Sequence, residues 1–213
     1  MKKSNKIKRA LVLAPHTDDG ELGCGGTINR LIEEGCEVWY VAFSICEESV
    51  PEGFPKNALE TEVKKATKHL GIKPEHLILK KYPVRKFNSF RQNILEDLVK
   101  IRKEVNPDLI FMPASQSLHQ DHKTIHEEGL RAFKHFSCLG YDLPWDTINF
   151  HTTSFYELQE HHVKSKSESL AYYETQKWRT YCDKDFIYGL ARVRGAQISK
   201  LYAESFEVIR YIF

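Results

Sequence analysis

The chain has no surplus of charge of either sign. Its 213 residues hold 31 lysines and arginines against 29 aspartates and glutamates, a formal net charge of +2. Nucleic acid and anionic membrane surfaces both select a basic excess, so neither is expected as the main partner. Long apolar runs are missing too. The basic opening MKKSNKIKR resembles the n-region of a signal peptide, but only ALVLA follows before Pro15 and His16. That is far short of an h-region or a membrane span. Cysteine is sparse and never spaced CxxC. Cys24, Cys36, Cys46, Cys138 and Cys182 are scattered and odd in number, which argues against a disulfide framework or a cysteine zinc site. Repeats, low-complexity tracts and Pro/Gly/Ser-rich linkers are also lacking. What remains is expected to be a soluble, cytoplasmic protein, one domain over residues 1–213, with 41% hydrophobic residues to build its core.

What the chain does have is alternation. Ala10–Ala14 (ALVLA) is a short continuous apolar run, as in a buried strand, and the segments 37–43, 77–82 and 109–112 read the same way. Between them lie helical patterns over 27–34, 58–70, 90–105 and 123–135. Gly35 and Gly71 close the first two, and Asn106-Pro107 closes the third. Strand–helix alternation of this kind predicts an α/β, Rossmann-like fold: a mostly parallel sheet with helices on both faces. Beyond about residue 136 the pattern weakens. Strands are expected over 152–158 and 207–212, helices over 169–178 and 187–200. In open α/β sheets the ligand crevice lies beyond the carboxyl ends of the strands.

The stretch LVLAPHTDDGELGCGG allows two chemistries at that edge. Its glycine end resembles a nucleotide- or S-adenosylmethionine-binding turn. However, Gly23 and Gly25 are followed by Ile28 where the third glycine of G-x-G-x-x-G belongs, and seven residues, Pro15 to Glu21, intervene after the strand end at Ala14. Its middle, HTDD, carries His16 and Asp19 three apart. The adjacent carboxylates of Asp18 and Asp19, with Glu21 nearby, repel one another unless a cation neutralises them. An Asx turn or helix cap is the plainer use of such a loop.

A second cluster, SLHQDH, follows the strand at 109–112 and puts His119, Asp121 and His122 into four residues. Both clusters fall at the same edge of the expected sheet. His16, Asp19 and His122 together supply three N/O ligands with an open fourth position, the pattern of a catalytic zinc site; ferrous iron or cobalt also fits such a set. Asp18, Asp121 and His119 are then free for acid–base work. Arg85, after the third strand, could grip a hydroxyl or a phosphate. Trp178 and Tyr181 could stack on a sugar ring, although core packing is the commoner use of such aromatics. His161 and His162 sit in a charged stretch and read as a solvated loop.

These residues resemble a known family. APHTDDGELGCGGTI is similar to the (A)HPDDE…GG signature of the LmbE-like, or PIG-L-like, zinc-dependent deacetylases, and SLHQDH to that family's HxDH motif. The segments ETEVKKATKHLGI, NPDLIFMPAS, SLAYYETQKW and RGAQISKLYAESFEV follow in the family order. The resemblance implies that His16, Asp19 and His122 ligate zinc and that Asp18 is the general base. His119 would stabilise the oxyanion and pass a proton to the leaving amine, and Asp121 would orient His119. It further implies removal of the N-acetyl group from an N-acetylglucosamine-type sugar or conjugate, a small-molecule partner, by a chain that could also form a homo-oligomer. The sequence departs from the pattern at Thr17 for the usual proline, at Gly20 inserted before Glu21, at Ser117 before HxDH, and at Leu59 where an arginine is common. A nucleotide-binding enzyme and a non-catalytic carbohydrate-binding relative are the alternatives.

Overall fold

Side-chain alternation along β1 (Arg9–Ala14) sets the layers. Ala10, Val12 and Ala14 sink into one hydrophobic cluster, Leu11 and Leu13 into another, and all five are fully buried. A strand covered on both faces has no reason to alternate polar with apolar residues, which is why β1 reads as a continuous run. In β4 (Leu109–Pro113) the pattern repeats, with Leu109 and Phe111 in the first cluster and Ile110 and Met112 in the second. With β2 (Glu37–Ala42), β3 (Leu77–Leu79), β5 (Ser137–Tyr141), β6 (Ser154–Leu158) and β7 (Tyr202–Arg210) they form a seven-stranded sheet in the order β3-β2-β1-β4-β5-β7-β6. The strands from β3 to β5 run parallel; β7 lies antiparallel to β5 and β6.

This computed structural model describes residues 6–212, so the first five residues of the basic opening lie outside it. Four helices pack on the first face: α1 (Asp19–Glu33), α2 (Ala58–Leu70), α5 (Glu160–Leu170) and α6 (Lys184–Ala196). On the other face lie α3 (Arg91–Val105) and α4 (Gln120–Ala132). The amphipathic stripe read from the sequence of α3, Ile94, Leu98, Ile101 and Val105, is the stripe it buries. Among the described residues no helix is long and apolar enough to cross a membrane.

The strand order reverses direction between β1 and β4, which are hydrogen-bonded neighbours (Val12 opposite Phe111). At such a switch point the loops leaving the two strands diverge and open a crevice. The HTDD loop leaves β1 and the SLHQDH loop leaves β4, so two motifs about a hundred residues apart meet there.

β3 ends at Leu79 rather than 82, and α6 spans Lys184–Ala196 rather than 187–200. The structure departs most from the sequence reading in four other places. The helix expected from Thr27 begins at Asp19 and includes the glycine run, with a kink at Cys24 (φ −147°, ψ 23°). β5, SCLGY, carried no strand pattern, because Ser137 and Gly140 dilute its apolar character. The helix expected at 169–178 is instead α5, eight or nine residues earlier, followed by an irregular excursion with 3₁₀ turns at Glu174–Gln176 and Thr180–Cys182. β7 starts at Tyr202 rather than 207.

The kink explains the glycines. It frees the carbonyl of Leu22 and the N–H groups of Gly26 and Thr27. Lys166 Nζ donates to Leu22 O at 2.7 Å, and the Glu204 carboxylate accepts from Gly26 N at 3.1 Å and Thr27 N at 2.7 Å. Lys166 and Glu204 pair at 2.7 Å, both buried. A nucleotide phosphate would seek the same N–H groups, and the protein's own carboxylate already fills that position. Neighbours also come too close for side chains: a Cβ on Gly23 would lie 2.5 Å from Tyr141 Cγ, and one on Gly26 2.6 Å from Leu158 Cδ1.

Candidate metal centre and its cleft

The HTDD loop begins where β1 still pairs, with Phe43 N donating to Ala14 O and Ser44 N to Pro15 O. Its middle is clamped. The hydroxyls of Tyr40 and Tyr173 lie 3.0 Å and 2.7 Å from the carbonyl oxygen of Thr17. Both also contact the Glu21 carboxyl, Tyr173 at 2.8 Å. Glu21 is fully buried, and burial pushes its pKa up to about 8. It faces this tyrosine clamp rather than the cleft, which defines the role that the inserted Gly20 obscures in the sequence.

Beyond the clamp, three side-chain atoms converge. His16 Nδ1 lies 3.1 Å from Asp19 Oδ2, Asp19 Oδ2 lies 3.3 Å from His122 Nε2, and His122 Nε2 lies 3.4 Å from His16 Nδ1. The remote ring nitrogens have their own partners. His16 Nε2 meets Asp121 Oδ2 at 3.0 Å, and His122 Nδ1 meets Ser117 Oγ at 3.0 Å with Asp146 Oδ2 at 3.7 Å. The Asp121 carboxylate can only accept, so it places the His16 ring proton on Nε2. The Ser117 hydroxyl can accept from His122 Nδ1 and allows the matching tautomer there, Asp146 at 3.7 Å lying beyond hydrogen-bond reach. In those tautomers two nitrogen lone pairs and a carboxylate oxygen, which also accepts from His16 N at 2.8 Å, face one another across about 3.3 Å. Three mutually repelling acceptors at that spacing call for a cation. The spacing matches the edge of a tetrahedron with bonds of about 2.0–2.1 Å, roughly 3.3–3.4 Å, so this donor set fits a zinc-type ion. Burial would lower the His16 pKa, but Asp19 beside it raises it well above the usual imidazole value. Burial would raise the Asp19 pKa, but His122 and His16 in turn hold it well below the usual carboxylate range. The cluster draws positive charge, which a proton or a metal ion can supply.

Asp121 does not orient His119, contrary to what the resemblance implies. Its carboxylate accepts from His16 Nε2, from Arg85 N at 2.5 Å and from Phe87 N at 3.2 Å. It is the outer partner of an imidazole in the convergent set, an arrangement that fixes ring orientation. His119 instead receives the backbone N–H of Asp121 on Nδ1 at 3.1 Å, as the N-cap of α4. Its neutral ring therefore carries the proton on Nε2, so His119 is a donor rather than a ligand. Burial, with His16 and His122 close by, lowers its pKa to about 4.

Asp18 occupies the N-cap of α1 without capping it, which removes the plain helix-cap reading. Burial and the neighbouring Asp19 raise its pKa to about 6. It lines a cleft of about 750 Å³ with His16, Asp19, His119 and His122. Arg85 lines the same cleft in a left-handed backbone conformation (φ 66°), held by its N–H on Asp121, and Cys46 opposite is left-handed too (φ 53°). Strained non-glycine residues concentrate where a site must be held.

Sequence reasoning missed Trp145, Asp146 and Gln176, and placed no role on Arg179; all four line the cleft. They lie on irregular backbone with no periodic signal. Of the two aromatics weighed for stacking, Tyr181 lines the cleft and Trp178 is 72% exposed. His161 and His162 are on α5, not in a loop, and both contact Glu33 Oε2, at 3.1 and 2.6 Å. His162 Nδ1 accepts from Gln159 N at 3.0 Å, so its Nε2 carries a proton and cannot also bind a metal as a neutral imidazole.

The family model described as PIG-L, GlcNAc-PI de-N-acetylase, matches residues 11–133, more than half of the chain. The diacetylchitobiose deacetylase of Thermococcus kodakarensis is 26% identical over 132 residues, 56% of this chain and 46% of that protein. The chain thus spans about half the length of that relative. Among solved structures, a conserved protein from Thermus thermophilus superposes with a TM-score of 0.80 at 21% identity, covering 96% of this chain and 95% of that one. The N,N′-diacetylchitobiose deacetylase of Pyrococcus horikoshii, solved with an inhibitor, gives 0.75 at 20% identity, covering 95% and 84%.

Proposed function

Because the chain belongs to the PIG-L, GlcNAc-PI de-N-acetylase family, we propose that it works as a single domain and a metal-dependent hydrolase, removing the N-acetyl group from an amino sugar or its conjugate. The observation that carries this reading is the triangle of bare acceptors on His16, Asp19 and His122. These residues would hold the ion, zinc being the metal their donor set suits best. Zinc in such a site supplies Lewis acidity, which activates water and polarises an amide carbonyl.

The remaining steps belong to the chain's own groups. Asp18, with a pKa near 6, takes a proton from the attacking water at neutral pH. His119 stays neutral and donates its Nε2–H to the oxygen on which charge develops. A neutral imidazole with so low a pKa is a poor proton source. The proton for the departing amine therefore comes back from Asp18, and His119 keeps only the first of the two roles the resemblance gives it. Asp121 and Ser117 hold the His16 and His122 rings through their outer nitrogens.

The test is acetate release from a panel of N-acetylglucosamine conjugates, with chelation and metal add-back and elemental analysis of the purified protein. Asp18→Asn is expected to keep stoichiometric metal and lose about 10²–10⁴-fold in kcat. Near-normal turnover in that variant, or full activity after chelation, refutes the reading.

A further inference from the structure

Between α5 and α6 the excursion that carries Tyr173, Thr175, Gln176, Arg179 and Tyr181 is tied down firmly. Tyr173 hydroxyl holds the Thr17 carbonyl and Glu21, and Thr175 donates through N (3.0 Å) and Oγ1 (2.6 Å) to the buried Glu62 carboxylate on α2. In a segment so well anchored, polar groups are normally answered. Two in the cleft wall are not. Gln176 is 5% exposed and its Oε1 has no partner, and the buried Nε of Arg179 has none either. The guanidinium touches the Tyr181 hydroxyl through one outer nitrogen and lies 4.9 Å from the Trp178 ring; among the described residues no carboxylate is within ion-pair distance, although Asp18 and Asp146 both feel its charge. Beside them the Tyr181 ring stacks on Trp145, with centroids 3.8 Å apart and planes 9° apart, and the Arg179 guanidinium sits 5.4 Å from the Tyr181 centroid. A buried acceptor and a buried guanidinium N–H without partners, next to an aromatic pair in one cleft, are the components of a site that reads both oxygens and an apolar face.

We propose that Gln176 and Arg179, backed by the Trp145–Tyr181 pair, form the sugar-recognition wall of this cleft. Gln176 Oε1 accepts from a ring hydroxyl, Arg179 donates to a neighbouring hydroxyl oxygen, and the aromatic pair takes the C–H face of the pyranose. The inference rests on the de-N-acetylase reading and deepens it: the pyranose of that substrate is selected by residues outside both motif loops. An acetamide without hydroxyls leaves both groups stranded, which is how hydrogen-bonding sites reject analogues.

Metal-loaded wild type, Gln176→Leu, Arg179→Met and Arg179→Lys are assayed for acetate release from N-acetylglucosamine and from N-cyclohexylacetamide, a ring lacking hydroxyls. Binding of N-acetylglucosamine is followed separately by ligand-observed NMR, and melting curves check that each variant folds. Each substitution is expected to lower the sugar-to-cyclohexyl ratio of kcat/KM by about tenfold or more, mainly through KM, and to weaken sugar binding to a similar degree. Arg179→Lys, which keeps the charge and loses the fork, decides the matter if Arg179→Met does not fold. Equal losses on both substrates, or sugar binding unchanged in the variants, overturn the wall. A wild type that releases acetate from neither compound nor from any member of the conjugate panel, yet binds the sugar through these two residues, refutes the hydrolase reading and leaves the wall standing.

Discussion

The loop at His16–Asp19 and the kink at Leu22–Thr27 are a few residues apart, both buried and both dense in polar groups. At the kink Lys166 meets the Leu22 carbonyl, Glu204 meets two N–H groups, and the two side chains neutralise each other, although the buried Thr27 hydroxyl has no partner. At the loop the backbone and the outer ring nitrogens are held, but the inner side is not closed. Three acceptors point at one another, Asp18 declines to cap its helix, and the donor His119 Nε2–H faces an open cleft. A closed set of buried charges is a structural device, whereas an unclosed one is held in place for a ligand. Glycines and acids in sequence do not tell the two apart. The count of partners does.

That contrast can be broken at either end. His122→Ala should have the largest effect, removing stoichiometric metal and cutting acetate release by about 10³-fold or more, with elemental analysis and turnover as readouts. Lys166→Met should do the opposite. It strands the Glu204 carboxylate and lowers unfolding free energy by about 3–5 kcal/mol in denaturant titrations, while the folded fraction still binds metal. If Lys166→Met folds normally but loses metal, the division between the two regions is wrong. Asp121→Asn sharpens the loop side: metal affinity, measured by competition with a chromogenic chelator, should fall about 10–100-fold with little change in melting temperature. The smallest effect is expected at the seam. Tyr173→Phe removes one hydroxyl from the Thr17 clamp and should cost about 1 kcal/mol in stability.

Much of the fold was legible where burial is two-sided. β1 and β4 announce themselves because both faces of each strand are covered. α3 does so because one stripe alone meets the core. β5 was hidden because its serine and glycine fill a crowded sheet with small groups rather than apolar ones: a Cβ on Gly140 would lie 2.9 Å from Ala114 Cα. α1 was cut short because glycine lowers helix propensity, a penalty that Glu204 and Lys166, far off in the chain, offset. The motif residues of the site were legible from local spacing. Trp145, Gln176 and Arg179 were not, since irregular backbone carries no period from which to infer a common cleft.

Sequence alone determined which donor types stand at the strand ends: two imidazoles and a carboxylate, a spare acid beside them, and a parallel sheet to carry them. Tertiary structure decided how those parts are used. It turned Asp121 toward His16 instead of His119, gave the glycine run to an internal ion pair instead of a nucleotide, and brought the excursion after α5 against the cleft. Donor type is written in each residue, but a proton's position and a charge's partner depend on neighbours that only the folded chain supplies.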